Sequence, residues 1–223
     1  MRSVAIDGPA GAGKSTLARQ AARELGFLYV DTGAIYRTVA LKAVRAGADP
    51  ADPAQVVPLL EGLDIRMDYG PDGEQRMFLE GEDVSSAIRE HKISGLASKV
   101  SAIPEVRAFL LDFQRKLARE HDVLMDGRDI GTVVLPKATV KIFLTASPEV
   151  RARRRTNELA AKGQKANFEQ ILKEIQQRDY QDTHREIAPL KMARDSIKLD
   201  TSEMDIDGVI AAIKDIVAKK VAP

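Results

Sequence analysis

One stretch constrains this chain more than any other: Gly8-Pro9-Ala10-Gly11-Ala12-Gly13-Lys14-Ser15, followed by Thr16. It fits the phosphate-binding loop pattern G-x-x-x-x-G-K-[ST]. Ser3-Val4-Ala5-Ile6 leads into it as a short buried strand, and Leu17, Ala18, Ala21, Ala22 and Leu25 follow at helical spacing. Strand, glycine loop and helix are the context that gives the pattern its meaning. Glycines let the backbone fold tightly and turn several N–H groups inward as an anion nest. A helix beginning near Lys14 aims the positive end of its dipole at the same place. Lys14 adds a full charge and the Ser15 hydroxyl is placed to ligate Mg2+. Gly8, Pro9, Ala10, Gly11, Ala12, Gly13, Lys14, Ser15 and Thr16 are therefore expected to cradle phosphate groups.

The 223 residues suit one α/β domain with room for inserted subdomains. Lys and Arg number 34 against 33 Asp and Glu, a formal net charge of +1, which argues against a general nucleic-acid binder. No cysteine is present, which excludes a disulfide framework and Cys-ligated metal. His91, His121 and His184 stand apart from one another and from any metal-ligand spacing. The apolar run at the N-terminus is too short for an export signal, and no stretch reaches the length of a membrane span. The expectation is a cytoplasmic protein, a monomer, without nucleic-acid or membrane partners.

Phe27-Leu28-Tyr29-Val30 reads as a second strand delivering Asp31-Thr32-Gly33-Ala34-Ile35-Tyr36-Arg37. Polar groups at the carboxyl end of a strand are where open α/β sheets bind ligands. Asp31 or Thr32 can cap the helix that follows, which does not explain Arg37: it is either an anion contact or a solvated charge on that helix. That helix runs to about Ala46, and a short one covers 53–61. Leu63 to Tyr69 then alternates, Gly70-Pro71-Asp72-Gly73 turns, and Gln75 to Val84 returns, which reads as an antiparallel hairpin with a third short strand inserted beside the main sheet. Residues 85–102 read as one helix on Ile88, Ile93, Leu96, Ala97 and Val100, with Ser94, Ser98 and Ser101 on a solvated face. Pro104 opens another, striped by Val106, Leu110, Phe113 and Leu117; by spacing Arg107 lies off the stripe, at the surface.

Val123-Leu124-Met125-Asp126-Gly127-Arg128-Asp129 resembles a Walker-B strand, but Gly127 stands where many ATPases place a water-activating Glu. That substitution favours transfer to a bound acceptor over hydrolysis. Arg128 and Asp129 either pair with each other or face a ligand. Val140 to Leu144 is a further strand, and Ser147-Pro148 starts a helix carrying Arg151, Arg153, Arg154 and Arg155. Arg151, Arg154 and Arg155 share a face and repel unless an anion neutralises them; the run is either a solvated basic helix or, with the Lys162-Gly163-Gln164-Lys165 loop, a mobile lid over phosphates at 151–166. In the next helix Phe168, Ile171, Leu172 and Ile175 make an apolar stripe that continues onto Arg178, Asp182 and Arg185, so the buried face either runs into a cleft or emerges into solvent. Ile197 to Asp200 is a last strand, and a helix over 207–218 closes the chain.

Together these stretches resemble the bacterial cytidylate (CMP/dCMP) kinases, a family of P-loop nucleoside monophosphate kinases. The resemblance covers nearly the whole chain and rests on Gly8–Thr16, Asp31–Arg37, Leu79-Glu80-Gly81-Glu82-Asp83-Val84, Asp126-Gly127-Arg128-Asp129 and Arg178–Arg185. It implies an α/β fold with a three-layer P-loop core on a mostly parallel sheet. One kinase domain would span 1–223, with a monophosphate-binding insert at 32–107 holding a small antiparallel sheet at about 63–84, and a helical lid. It implies ATP and Mg2+, with CMP or dCMP as acceptor. Arg37, Arg128 and Arg185 would hold the acceptor phosphate, with Thr32 and Tyr36 in the same acceptor site. Ser98, Arg107 and Asp129 would read the cytosine, and Arg178 and Asp182 the sugar. Lys14, Arg128, Arg151, Arg154 and Arg155 would stabilise the transferring group. Asp31 and Asp126 remain alternatives for ordering the Mg2+ water shell. Competing expectations are a P-loop kinase for UMP, AMP or shikimate, against which the hairpin and Asp126–Asp129 stand, and a GTP-binding switch, which needs an Asn-Lys-x-Asp string that does not occur.

Overall fold

The structure, a computed structural model, describes residues 1–161 and 163–221. Its elements in chain order are β1 (Ser3–Asp7), α1 (Lys14–Leu25), β2 (Leu28–Asp31), α2 (Thr32–Arg45), α3 (Pro53–Val56), β3 (Ile65–Tyr69), β4 (Gln75–Leu79), β5 (Glu82–Asp83), α4 (His91–Val100), α5 (Pro104–Glu120), β6 (Val123–Gly127), β7 (Val140–Thr145), α6 (Pro148–Ala161), α7 (Phe168–His184), β8 (Ile197–Asp200) and α8 (Ile206–Val221). Two compact units result: Met1–Tyr29 with Ala118–Pro223, and Val30–Leu117.

The first unit is built on a five-stranded sheet in the order β2-β6-β1-β7-β8. β1 runs parallel to β6 and β7, and β7 parallel to β8. Interior strands buried on both faces must be apolar throughout. Val4, Ala5 and Ile6, Val123, Leu124 and Met125, and Ile142 and Leu144 accordingly have no solvent exposure. One layer over the sheet is α1 with α8, through Leu17, Ala18, Ala21 and Ala22 and through Val209, Ile210, Ile213 and Val217. A separate cluster joins α6 to α7 through Ala152, Ile171 and Ile175. The sheet order reverses across β1, and the loop after β1 opens at that switch point, where such sheets place their ligands.

The second unit carries a three-stranded antiparallel sheet, β3-β4-β5, with α2 and α4. Gln75, Met77 and Leu79 alternate onto the buried face of β4. Two sequence expectations need correction here. The helix expected over 85–102 is broken: a 3-10 turn covers Ala87–Arg89 and α4 begins only at His91. In α5 the buried face is Val106, Arg107, Leu110 and Gln114, while Phe113 and Leu117 are only half-buried. The stripe is rotated by about one residue because Ile103, one residue before the helix, is also buried, and Arg107 follows it by one turn.

Candidate functional site

The loop after β1 is shaped by its backbone. A Cβ at Gly8 would lie 1.9 Å from the Leu144 carbonyl oxygen, so only glycine lets the chain leave β1 across β7. Gly13 takes a left-handed conformation, φ 78°, to turn into α1. α2 and α7 begin with side-chain caps, Asp31 onto the Ala34 N–H and Asn167 onto the Gln170 N–H; α1 has none. Its N-cap residue, Gly13, has no side chain to compete for the first-turn N–H groups. The Lys14 ammonium is buried and donates to the Pro9 carbonyl at 2.7 Å. Burial and the neighbouring Arg128 push its pKa well below the ordinary value, against the pull of Asp126 and Asp182.

Asp126, at the end of β6, is buried between two hydroxyls: Ser15 Oγ donates to one of its oxygens and Tyr29 Oη to the other, each at 2.9 Å. Past it, Arg128 and Asp129 do not pair with each other. Arg128 Nε donates to Asp182 at 2.8 Å, and Arg185 Nη2 reaches Asp129 at 3.3 Å. Asp182 is 4% exposed, so α7 does not emerge into solvent there; its apolar face turns ionic while still covered. Burial pushes the Asp182 carboxyl up, but Arg128, by charge and hydrogen bond, and then Arg178 and Arg185 more than offset this and hold it below the usual range. Lys14, Ser15, Asp126, Arg128, Asp129, Arg178, Asp182 and Arg185 thus belong to one polar cluster in the first unit.

Two of the α6 arginines, Arg151 and Arg155, find carboxylate partners within the protein, and Arg154 finds neutral ones. Arg151, 2% exposed, donates to the Ala146 and Ala10 carbonyls and pairs with Asp179. It therefore braces the phosphate-binding loop through Ala10. Arg154 bonds Thr201, through the hydroxyl and the carbonyl, and Arg155 pairs with Glu158. Lys162, in the expected loop, lies outside the described residues. A cavity of about 380 Å³ opens beside Pro9, with Arg151, Asp179, Thr183, Lys198 and Asp200 in its walls.

In the second unit Asp31 has two tasks, capping α2 and pairing with Arg37 at 2.8 Å. Gln75 brackets its backbone, accepting from the Asp31 N–H at 2.7 Å. Thr32 and Tyr36 are buried on α2. Arg107, 8% exposed and not at the surface as its spacing suggested, donates to the Ser101 carbonyl and lies over the Tyr36 ring at 5.6 Å. Ser98 is half-buried and donates to Gly95; Ser101, expected on a solvated face, is buried. Thr32, Tyr36, Arg37, Ser98 and Arg107 therefore all sit in this unit.

Asp7, Asp179, Tyr29 and Gln75 were missed by sequence reasoning. Asp179 follows Ile175 by four residues, so the buried stripe of α7 reaches it as directly as it reaches Arg178. Gln75 shares the alternation of Met77 and Leu79. Asp7 is a charge closing an apolar strand, where burial demands partners. Among the described residues, no group of three His, Asp or Glu is arranged to hold a metal, and no helix is long and apolar enough to cross a membrane.

The cytidylate kinase family model matches residues 4–219. A cytidylate kinase of Carboxydothermus hydrogenoformans is 48% identical over 217 residues, covering 97% of each chain. One of Pelotomaculum thermopropionicum is 50% identical over 211 residues, 95% of this chain and 93% of that one. Among solved structures, an uncharacterized protein from Eubacterium ventriosum matches over the full length of both chains with a TM-score of 0.55 at 11% identity, a likeness of fold alone. With a phosphate-binding loop at the switch point, an arginine–carboxylate cluster beside it, and a family model and relatives that match nearly the whole chain, the chain belongs to the cytidylate kinase family.

Proposed function

We infer that this chain transfers the γ-phosphoryl group of ATP to CMP and dCMP, forming CDP and dCDP. The observation that carries the reading is the cluster around Lys14. Arg128 and Arg185 are each pre-paired with a carboxylate of another segment, Asp182 and Asp129, beside a phosphate-binding loop. Hydrolysis needs only a donor site; a bank of oriented arginines beside it suits a second phosphate.

The phosphate-binding loop and Lys14 hold the β- and γ-phosphates, and the cavity along Pro9 and Arg151 gives room for the rest of the donor. Phosphate entering the nest brings counter-charge to an ammonium whose burial disfavours its charge. Ser15 Oγ and the Asp126 carboxylate are hard oxygen donors 2.9 Å apart, the donor chemistry that suits Mg2+, and Asp126 is the better of the two candidate carboxylates because Asp31 is committed to Arg37 and its helix cap. When bound, Mg2+ supplies charge neutralisation across the phosphates. On the acceptor side Arg128 and Arg185 of the first unit and Arg37 of the second are assigned to the phosphate. Asp129, Ser98 and Arg107 are assigned to cytosine, Arg178 and Asp182 to the sugar, and Thr32 and Tyr36 to the acceptor as well. The acceptor is already an oxyanion at neutral pH, so the protein orients it and stabilises the spread charge, with no general base. Arg151 acts by fixing the Ala10 carbonyl, and Arg154 and Arg155 reach the transferring group only by leaving Thr201 and Glu158. The chain works as a monomer in the cytoplasm.

An acceptor panel tests the reading. With ATP and Mg2+, CMP and dCMP are expected to give the highest kcat/KM among nucleoside monophosphates and shikimate. A higher value for UMP, AMP or shikimate overturns it, as does tight GTP binding without acceptor-dependent turnover.

A further inference from the structure

Asp7 ends β1 and immediately precedes Gly8. Its side chain is turned inward, with 2% exposure, and spans to a different segment. Oδ1 accepts the Ile130 N–H at 2.7 Å and Oδ2 the Gly131 N–H at 2.8 Å. Those two residues follow directly on Arg128 and Asp129. The strands beneath are in register, Asp7 opposite Gly127, so a single carboxylate ties the strand that ends in the phosphate-binding loop to the turn that carries Arg128 and Asp129. Two adjacent N–H donors call for two adjacent acceptors. A carboxylate offers them; a protonated acid or an amide offers one and turns a donor onto the other N–H.

The surroundings fit that task. A Cβ at Gly131 would lie 3.1 Å from Lys141 Cδ and 3.3 Å from Asp7 Oδ2, so the turn lies close against both side chains. The Lys141 ammonium is engaged by the Pro136 carbonyl and Asp195. Of the other charges acting on Asp7, Asp129 repels it and Lys14 attracts it. Burial pushes its pKa up to about 6, against the two N–H groups, which favour the charged form. The fold thus keeps an expensive buried charge that nothing in the phosphoryl-transfer step itself uses.

We propose that Asp7 is a positioning residue: its two hydrogen bonds fasten the turn after Asp129 to the end of β1 and so keep Arg128 and Asp129 aimed at Asp182 and Arg185. The proposal rests on the reading of Arg128 and Asp129 as acceptor-side groups. It makes acceptor binding depend on the charge of Asp7, because protonation removes one of the two acceptors.

The test pairs Asp7→Asn kinetics with a measurement on the unaltered protein. Loss of one hydrogen bond to a charged group should raise the CMP KM about tenfold at about pH 8, with the ATP KM within about twofold. The ratio of variant to wild-type CMP KM, in which the titration of CMP itself cancels, should fall toward about one by roughly pH 5, where the wild type has lost its carboxylate too. In the wild type, the Gly131 amide resonance should titrate with a midpoint of about 6. Equal losses for ATP and CMP, a ratio that does not change with pH, or a Gly131 amide that does not titrate between about pH 5 and 8 overturns the proposal. A wild type that turns over no CMP overturns the acceptor assignment instead, and the Gly131 titration still tests the tether.

Discussion

Replacing Asp182 by alanine leaves the Arg128 guanidinium in a covered site without its carboxylate. The pair is 2.8 Å apart, with side-chain exposures of 20% for Arg128 and 6% for Asp182. Removing one partner of a buried pair costs about 3–5 kcal/mol. Arg128 keeps partial access to water and its bond to the Gly127 carbonyl at 3.3 Å, which puts the expected loss at the low end, about 3 kcal/mol. For a chain of this size, about 2–4 °C per kcal/mol converts that to a fall in Tm of about 6–12 °C. The sign with pH is set by the lowered pKa of Asp182. Its stabilisation is complete above the ordinary carboxylate pKa of about 3.9 and is lost as pH falls through the lower folded-state value. Urea unfolding of wild type and variant should therefore differ by the full amount at neutral pH and converge in strong acid. Asp182→Asn, which keeps one acceptor for Arg128 Nε, should lose about half as much. A loss below about 1 kcal/mol at neutral pH, the range of an exposed pair, would refute the covered-pair reasoning.

Arg185→Ala should raise the CMP KM and lower kcat together, about 2–4 kcal/mol in kcat/KM, with the ATP KM little changed; unaltered steady-state kinetics would remove Arg185 from the acceptor site. Tyr29→Phe removes the hydroxyl that holds Asp126 at 2.9 Å and should cost about 1–2 kcal/mol in urea unfolding. The same variant should need more Mg2+ for half-maximal protection against heat in the presence of ATP, and an unchanged Mg2+ midpoint would count against Asp126 as the carboxylate beside Ser15. Gly8→Ala puts a Cβ 1.9 Å from the Leu144 carbonyl oxygen, a backbone atom that cannot swing aside. That variant should lose more than about 4 kcal/mol or fail to fold, and a near-native melting curve would refute the close approach.

The core could be read in the chain because the residues that make it are local. Val4–Ile6 and Val123–Met125 are short apolar runs, and Val140–Leu144 is one broken only by Lys141; each ends in a polar residue, and a strand buried on both faces leaves that trace without knowledge of its neighbours. The hairpin was legible for the same reason, through alternation and the Gly70–Gly73 turn. Strand order was not legible, because nothing within β1 records that β6 and β7 flank it. Charged residues were legible as candidates but not as pairs. Arg128 and Asp182 are 54 residues apart, and Arg185 and Asp129 are 56 apart, so only the fold reveals that the pairs cross between segments. Arg107 was misjudged for a subtler reason. Its face of α5 was read from the large apolar residues, whereas the buried stripe includes Arg107 and Gln114, whose polarity hides them from any count of hydrophobic spacing.

The crossed pairs bear on how the proposed acceptor site would bind phosphate. An isolated guanidinium at the end of a strand must be ordered when the ligand arrives, and that ordering subtracts from affinity. Here Arg128 is ordered on folding, by its Nε bond to Asp182 and its Nη1 bond to the Gly127 carbonyl. A guanidinium carries five N–H donors, so these contacts orient the fork without exhausting it. The carboxylates then act less as competitors for the arginines than as their mounts, and the mount is itself anchored, since the backbone of Asp182 accepts the Leu190 N–H at 2.7 Å. A phosphate meeting this cluster therefore encounters donors already aimed, which is the condition under which electrostatic stabilisation costs no reorganisation during transfer. Loss of Asp182 should on this ground reduce kcat/KM for CMP by more than the removal of one sugar contact would, because a guanidinium elsewhere in the cluster is set loose with it.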